Sequence, residues 1–375
     1  MSETRTEGSS LCKKFAAARA VLCEALIERD DEIDLALTAL VARESLLLVG
    51  PPGTAKSMLC QAIGAWMNAR RFEYLLTKFT TPEELFGPIS VAGLKADDYR
   101  RITAGKLPEA ETVFLDEIFK ASSAILNTLL RVLNEKKFQN GREELSVPLR
   151  LCLAASNEWP NPETGQELGA LFDRFLIRKT VKPVASTEGR RKLWWRRNHL
   201  PVFAEPLAPT EIDQAACEAQ ALPWTETAQA SYEKINADLR HAGVIPGDRR
   251  SYKAVAIAQA AAWLDGASEV SPVYLAPLAH VLWDDPVEQP QVTARIVLKH
   301  ACPGDVKLNE LVMQAASVGE GIDRRDIGQV TTAVRKLQDI AEQLLGLGPN
   351  PRAAKALTRL SAQIRELKLA ALDAA

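Results

Sequence analysis

The stretch Gly50-Pro-Pro-Gly-Thr-Ala-Lys-Ser57 decides the fold class, because it stands between an apolar run and a helical pattern. The run before it, Ser45-Leu-Leu-Leu-Val49, has the continuous apolar character of a buried parallel strand. Residues 56–69, which follow, have helical spacing. A glycine-rich turn at this place lets backbone N–H groups and the positive end of a helix converge on phosphate oxygens. The stretch therefore predicts a phosphate-binding loop on an α/β sheet.

The residues of this loop have distinct predicted roles. Lys56 is expected to place its charge against the β- and γ-phosphates of a nucleotide, and Ser57 to ligate Mg²⁺. Ala55 stands where the second glycine of this pattern is expected, and its methyl group is tolerated if the residue already has a helical φ. The predicted nucleotide contacts are Gly50, Pro51, Pro52, Gly53, Thr54, Ala55, Lys56, Ser57 and Met58.

Two further apolar runs end in polar residues suited to the same ligand. Residues 112–115 lead into Asp116 and Glu117, and residues 149–155 lead towards Asn157. The carboxyl ends of parallel strands meet at one edge of a sheet, where ligands bind. We expect Asp116 to hold the Mg²⁺ hydration shell, Glu117 to polarise the attacking water, and Asn157 to reach that water or the γ-phosphate. The alternatives are a solvated turn for the acidic pair and a helix cap for Asn157.

The chain is predicted to have three parts. Strand and helix patterns alternate over 1–205, which is typical of an αβα nucleotide-binding core with a mostly parallel sheet. Residues 206–290 are rich in alanine at helical spacing and predict a small all-α lid. Residues 291–375 carry two long amphipathic helices, joined by Gly346-Leu-Gly-Pro-Asn-Pro351, which predicts a helical hairpin.

The composition is that of an ordinary globular protein. Of 375 residues, 47% are hydrophobic and 25% are charged, with a net charge of −2. That charge gives no global indication of nucleic-acid binding or of an acidic membrane surface. The cysteines and histidines lack metal-binding spacing, and no apolar stretch approaches the ~20 residues that cross a bilayer. The N-terminus lacks the layout of a signal peptide, so we expect a cytoplasmic protein without a membrane span.

These motifs resemble a known group. The phosphate loop is similar to the Walker A element of AAA+ ATPases. The strand that ends in Asp116-Glu117 is similar to their Walker B element, and Asn157 at a strand tip is similar to their sensor-1 residue. The closer resemblance is to the MoxR branch, especially its RavA-type members. It rests on residues 81–88 (Thr-Pro-Glu-Glu-Leu-Phe-Gly-Pro), 107–110, 124–130 and 138–141. These resemble the branch's helix-2 insert and a pre-sensor hairpin, which the turn signal Asn140-Gly141 also predicts.

The resemblance implies an AAA+ P-loop αβα core, an all-α lid and a C-terminal helical domain, with ATP and Mg²⁺ bound. It implies that Arg174, in Leu171-Phe-Asp-Arg-Phe175, is an arginine finger that reaches the γ-phosphate of a neighbouring subunit. The alternative for Arg174 is an ordinary helix-end salt bridge. Gly247-Asp-Arg-Arg250 is similar to the sensor-2 stretch of the lid, with Arg249 favoured over Arg250.

The segment from Ile27 to Ile33 is expected to line the adenine pocket, by position only, with those two residues as the predicted contacts. The branch usually works with a protein that bears a von Willebrand A domain. The resemblance therefore implies an ATP-hydrolysing, chaperone-like remodeller that assembles as a homo-oligomeric ring, of six subunits, and acts on a protein partner.

Two other functions stay open at this point. One is a nucleic-acid-stimulated motor of the same superfamily, and the other is a nucleotide-locked assembly scaffold. Glu117 argues against the scaffold, which has no need of a carboxylate that activates water.

The stretch Gly189-Arg-Arg-Lys-Leu-Trp-Trp-Arg-Arg-Asn198 mixes basic and aromatic residues. We interpret it as a helix whose tryptophans pack and whose arginines are solvated or face the next subunit. A nucleic-acid patch is the alternative, because base stacking and phosphate neutralisation use the same residue types. Trp263 and Trp283 are predicted to be core residues of the lid.

Overall fold

The computed structural model describes residues 10–160, 172–195, 201–304 and 327–346, and single positions between 311 and 365. The chain forms two compact units, Met1–Arg295 and Ile296–Ala375. The predicted core and the predicted lid lie together in the first unit. Their division at 205, and the boundary at 290, stay predictions.

A parallel sheet organises the first unit. Its strands and those of a separate hairpin are β1 (Leu46–Val49), β2 (Arg71–Leu75), β3 (Thr112–Asp116), β4 (Lys137–Asn140), β5 (Glu143–Ser146), β6 (Leu151–Ser156) and β7 (Ile177–Thr180). The sheet has the order β2-β3-β6-β1-β7, and every pair in it is parallel. β4 and β5 pair antiparallel across Gly141, whose φ is 63°. This confirms both the predicted α/β class and the predicted hairpin.

The helices follow the predicted order. They are α1 (Ser10–Ala25), α2 (Asp30–Ala42), α3 (Lys56–Trp66), α4 (Pro82–Phe86), α5 (Val91–Lys95), α6 (Ser123–Glu135), α7 (Thr187–Trp195), α8 (Pro209–Gln220), α9 (Glu226–His241), α10 (Asp248–Leu264), α11 (Gln289–Ala301) and α12 (Ile327–Leu345). In the described part of the chain, 3₁₀ turns cover Leu107–Glu109, Ile118–Lys120 and Pro272–His280. α4 begins with a capping box in which the Thr81 amide donates to Glu84 Oε2 at 2.6 Å. None of the described helices is both long and apolar enough to cross a membrane.

Burial separates the central strands from the edge strands. Every residue of β1 and β6 is buried, which explains their continuous apolar sequence. Edge strand β2 alternates in exposure, and edge strand β7 is half polar. Within β7, Arg178 has no exposed side-chain surface and donates to the carbonyls of Phe172, Phe175 and Trp283. Arg178 therefore ties the edge of the sheet to the lid.

The lid packs against the core through α10, which contacts α2 of the core and α8 of the lid itself. Trp263 is 5% exposed and Trp283 is 2% exposed, so both are core residues as predicted. Trp263 stacks edge-on against Phe15 of α1, with ring centroids 5.2 Å apart.

The tryptophans of α7 do not pack as predicted. Trp194 is 68% exposed and Trp195 is 81% exposed. The buried residue of this nine-residue helix is Gly189. At 100° per residue, Trp194 and Trp195 fall on the side of α7 that faces away from Gly189. The prediction is wrong for these two residues, and residues 196–198 of the same stretch lie outside the described part.

The C-terminal unit contains its own apolar cluster. The buried members are Leu311, Ala315, Val330, Ala333, Val334, Leu337, Ile340, Leu344 and Leu360, and Leu357 and Ile364 pack against them. The apolar stripe of α12 thus packs against positions of the second predicted helix. Residues 347–351, in the predicted link of the hairpin, lie outside the described residues.

Candidate nucleotide-binding site

The phosphate loop follows β1 directly and is anchored to both neighbouring strands. The Gly50 amide donates to the Ser156 carbonyl at 3.1 Å, at the end of β6. A side chain at Gly50 would collide with the Val181 carbonyl, just beyond β7, so only glycine permits this approach. Gly53 has a φ of +79°, and a Cβ there would meet no atom within 4 Å. The loop is therefore fixed at its base and open at its tip.

The predicted contact residues differ in exposure. Pro51, Pro52 and Gly53 are exposed, Thr54 and Lys56 are buried, and Ala55, Ser57 and Met58 are half-buried. The Thr54 hydroxyl donates to the Pro51 carbonyl at 2.8 Å, which closes the turn.

Ala55 does not meet the condition, a helical φ, under which its methyl group was expected to be tolerated. Its φ is 64° and its ψ is 20°, a left-handed conformation immediately before α3. That is the conformation for which the pattern uses glycine, and it costs an L-residue roughly 1–2 kcal/mol. The loop therefore keeps its left-handed residue although the glycine is replaced.

Lys56 reaches back across the loop. Its ammonium donates to the Gly50 carbonyl at 2.5 Å, to the Pro51 carbonyl at 3.0 Å and to Asn157 Oδ1 at 3.1 Å. Burial lowers the pKa of Lys56 below its usual value, and the carboxylates of Asp116 and Glu117 partly oppose this shift. A buried cation that bonds only neutral acceptors would gain from an anion at this place.

The acidic pair lies where β3 ends, opposite the start of α3. Asp116 Oδ2 accepts from the Ser57 hydroxyl at 3.2 Å, and its Oδ1 accepts from the Glu117 amide at 3.0 Å. A hydroxyl and a carboxylate are the oxygen ligands that Mg²⁺ prefers in proteins. The donor set thus fits a magnesium ion held between Ser57 and Asp116.

Glu117 is held in a strained and buried position. Its φ is 54°, a left-handed conformation that is uncommon for a non-glycine residue. Oε1 accepts from the Asn157 side-chain amide, and Oε2 lies 3.3 Å from Lys120 Nζ. Oε2 is buried and makes no hydrogen bond. An unsatisfied buried carboxylate oxygen fits a role towards a water molecule or a ligand. Sequence reasoning missed Lys120, which stands three positions after Glu117.

Sequence reasoning also missed Arg29, which joins the N-terminal helices to the loop. Arg29 is 6% exposed, and its Nε donates to the Thr54 carbonyl at 3.0 Å. Of the two predicted adenine contacts, Ile27 is half-buried and Ile33 has no exposed surface. Only Ile27 presents surface that a base could touch in this structure, and the role of both residues stays a prediction.

The two predicted arginines lie at the other edge of the sheet. Arg174 precedes β7, whose first residue pairs with Leu46 at the start of β1. Arg249 donates to Asn134 Oδ1 at 2.7 Å, at the end of α6, which runs back from the phosphate edge. A small cavity at this edge is lined by Asp173, Arg174, Leu176, Arg249, Arg250 and Lys253. The length of a four-residue strand, about 13 Å, separates this edge from the phosphate loop of the same chain.

Arg249 and Arg250 have different environments. Arg250 is 3% exposed, and its guanidinium donates to the Leu176 and Val281 carbonyls at 3.1 and 3.0 Å and to Asp173 Oδ1 at 2.9 Å. Arg249 is exposed. The guanidinium of Arg250 is therefore committed to the contact between lid and core, and Arg249 keeps surface for a ligand.

Replacing Arg250 with alanine is expected to lower the free energy of unfolding by roughly 3 kcal/mol, because two buried carbonyls lose their donor. Urea titration measures this loss. Arg249→Ala is the matched control and is expected to change stability by less than about 0.5 kcal/mol. An equal loss in both variants would contradict the assignment of Arg250 to structure.

Comparisons with known proteins agree with this geometry. A family model described as the MoxR domain in the MoxR-vWA-beta-propeller ternary systems matches residues 13–203, and one described as an AAA lid domain matches residues 231–296. An uncharacterized protein of Methanocaldococcus jannaschii is 40% identical over 273 residues, which cover 72% of this chain and 71% of that protein. Protein MoxR of Paracoccus denitrificans is 27% identical over 322 residues, which cover 76% and 92%.

A solved structure has the same fold. It is described as a candidate ATPase from Cytophaga hutchinsonii, with a TM-score of 0.62 and 15% identity, and the match covers 77% of this chain and 94% of that one. The parallel sheet, the phosphate loop and the helical lid define an AAA+ α/β core followed by its lid. The chain belongs to the MoxR family of AAA+ ATPases. The narrower RavA-type resemblance stays a prediction.

Proposed function

We propose that this chain binds ATP with Mg²⁺ and hydrolyses it, as one subunit of a ring that remodels a protein partner. The observation that carries the proposal is the convergence of three distant residues. Lys56 bonds Asn157, and Asn157 bonds Glu117, although they come from a loop and from the ends of two strands. A cation, an amide and a carboxylate in mutual contact fit a terminal phosphate and its attacking water.

Each group has a proposed part in the reaction. Lys56 exchanges its bonds to neutral acceptors for charge-assisted bonds to phosphate oxygens. Ser57 and Asp116 would hold Mg²⁺, which would supply charge neutralisation on the phosphates when bound. Glu117 accepts a proton from the attacking water, and Asn157 orients that water. The buried Glu117 oxygen that lacks a hydrogen bond supports this role.

The ring is supported by the position of the arginines. Arg174 and Arg249 line one small cavity at the edge where the strands begin, whereas Lys56 lies at the edge where they end. This separation supports a role for Arg174 at the phosphate loop of a neighbouring chain. In a head-to-tail ring, this edge of one subunit faces the phosphate loop of the next, and six subunits is our proposal for its size.

The partner is proposed from the family. The matched family model is described by systems that combine MoxR with a vWA domain and a β-propeller. We propose a partner protein that carries a von Willebrand A domain, on which the helix-2 insert and the hairpin β4–β5 act when hydrolysis changes the angle between core and lid.

The test is nucleotide binding and turnover by purified protein. Lys56→Ala is expected to weaken ATP binding by roughly 10- to 100-fold, since a charge-assisted hydrogen bond contributes about 1.5–3 kcal/mol. Fluorescent-nucleotide titration measures the affinity, and phosphate release measures the turnover. Lys13→Ala, an exposed lysine on α1, is the control and should leave both unchanged. Full ATP affinity in Lys56→Ala would show that the site is elsewhere.

A further inference from the structure

We propose that the exposed face of α7, formed by Trp194 and Trp195 and here called the Trp face, docks on a second copy of this chain. The surface that receives it is the arginine-bearing edge of the neighbour, at Ile245 and Tyr252. This inference rests on the proposed ring and gives it a specific contact. It replaces the expectation that the tryptophans pack within their own chain.

The Trp face is unusual for its exposure. Trp194 is 68% and Trp195 is 81% exposed. Single exposed apolar residues are common, but a contiguous exposed apolar patch marks an interaction site. Tryptophan is also the residue most enriched among those that dominate binding energy at interfaces. The Trp face therefore has the exposure and the residue type of an interaction surface.

The Trp face is fixed to the nucleotide end of the core. The Glu28 carboxylate accepts hydrogen bonds from the Ala185 amide at 2.7 Å, from the Ser186 amide at 3.1 Å and from the Ser186 hydroxyl. Gly189, in the first turn of α7, packs so closely on Glu28 that a side chain there would collide with the carboxylate. Arg29, the next residue, holds the phosphate loop. The start of α7 is therefore connected to the phosphate loop through the adjacent residues Glu28 and Arg29.

This position selects a second copy as the occupant. In the proposed ring, an arginine from one chain completes the phosphate site of another, so the arginine-bearing edge of a neighbour approaches the loop. α7 is linked to that loop through Glu28 and Arg29, so we expect the approaching edge to cover it. A second copy also brings a complementary surface, because the same edge carries exposed apolar residues.

The complementary surface stands next to Arg249. Tyr252 is 81% exposed and Ile245 is 69% exposed. Arg249 and Tyr252 are three residues apart on α10, so they lie on one face of the helix. When Arg249 points at the neighbour's phosphates, Tyr252 points at the elements that flank them. The Trp face is an exposed apolar surface of the described residues that fits this position.

The test uses the whole chain in the slow-hydrolysis background Glu117→Gln with ATP. Sedimentation velocity measures the assembly over a range of protein concentrations. Trp194→Ala/Trp195→Ala is expected to weaken self-association by about 100-fold or more, as befits two central aromatic contacts. Trp194→Phe/Trp195→Phe should keep most of the assembly, because the aromatic surface remains. Tyr252→Ala should weaken assembly in the same direction.

The control is Phe79→Ala, because Phe79 is 89% exposed but follows β2, at the opposite lateral edge of the sheet. It should assemble like the parent. Normal assembly of the double alanine variant would overturn the docking surface and leave the ATPase proposal intact. A parent that stays monomeric with ATP would overturn the ring as well. Normal assembly combined with lost binding to single-stranded RNA or to anionic vesicles would assign the Trp face to that ligand instead.

Discussion

Arg174→Ala is expected to lower the steady-state ATPase rate by about 10³–10⁵-fold, the range found for arginine fingers. The guanidinium would stabilise the charge that develops on the transferred phosphoryl group. Arg174 is half-buried, and its Nη1 pairs with Asp173 Oδ2 at 2.9 Å. Its Nε is buried without a hydrogen bond, so part of the guanidinium is still unsatisfied. Affinity for ATP should change far less than turnover.

A mixing experiment tests the trans role of Arg174 more directly than the loss of ATPase activity in the single variant. Mixing Arg174→Ala with Lys56→Ala should restore turnover, because the Lys56 variant supplies an intact arginine to a neighbour with an intact phosphate loop. The double variant Lys56→Ala/Arg174→Ala is the control partner and should restore nothing. Full activity of Arg174→Ala alone would reduce Arg174 to the helix-end salt bridge that was the alternative interpretation.

The core of the site was predictable because its determinants are local in sequence. An apolar run, a glycine-rich turn and a following helix fix the phosphate loop within about twenty residues, and the two other strands end in polar residues at the same edge. Since parallel strands bring their carboxyl ends together, Asp116 and Asn157 could be expected near Lys56. The structure does bring them into a connected set of contacts.

What was missed depends on tertiary contacts. β2 and β7 were not identified because edge strands carry alternating or polar sequences, as in Ile177-Arg-Lys-Thr180. The left-handed φ of Ala55 is set by the loop closing on itself, which no propensity reveals. The burial of Arg250 depends on carbonyls more than thirty and seventy positions away.

Trp194 and Trp195 show the same limit of sequence-based prediction, here as a prediction that was wrong. Apolar residues in a helical stretch are usually buried, so packing was the reasonable expectation. The expectation failed because α7 is short and meets the core through Gly189, which turns the pair outward. Sequence spacing predicts which residues share a face, but it does not predict which face the core covers.

Glu117→Gln is expected to lower the rate of the chemical step by about 10²–10⁴-fold, the range for a general base, while ATP binding is retained. The amide keeps the shape of the carboxylate and can still bond Asn157, but it cannot take a proton. Single-turnover hydrolysis measures the step directly, and equilibrium titration measures the binding. Glu135→Gln, an exposed glutamate at the far end of α6, is the matched control and should be without effect.

The result also separates hydrolysis from scaffolding. A scaffold would show negligible turnover in the wild type, and Glu117→Gln would then change nothing. A hydrolase loses its turnover and accumulates the ATP-bound ring, which should retain its protein partner in a pull-down. One oxygen favours the hydrolase over the scaffold, because Glu117 Oε2 is buried beside Lys120 without a hydrogen bond. Burying a carboxylate oxygen that makes no hydrogen bond, in a left-handed turn, costs stability, and a chain that only had to bind nucleotide would gain nothing from that cost.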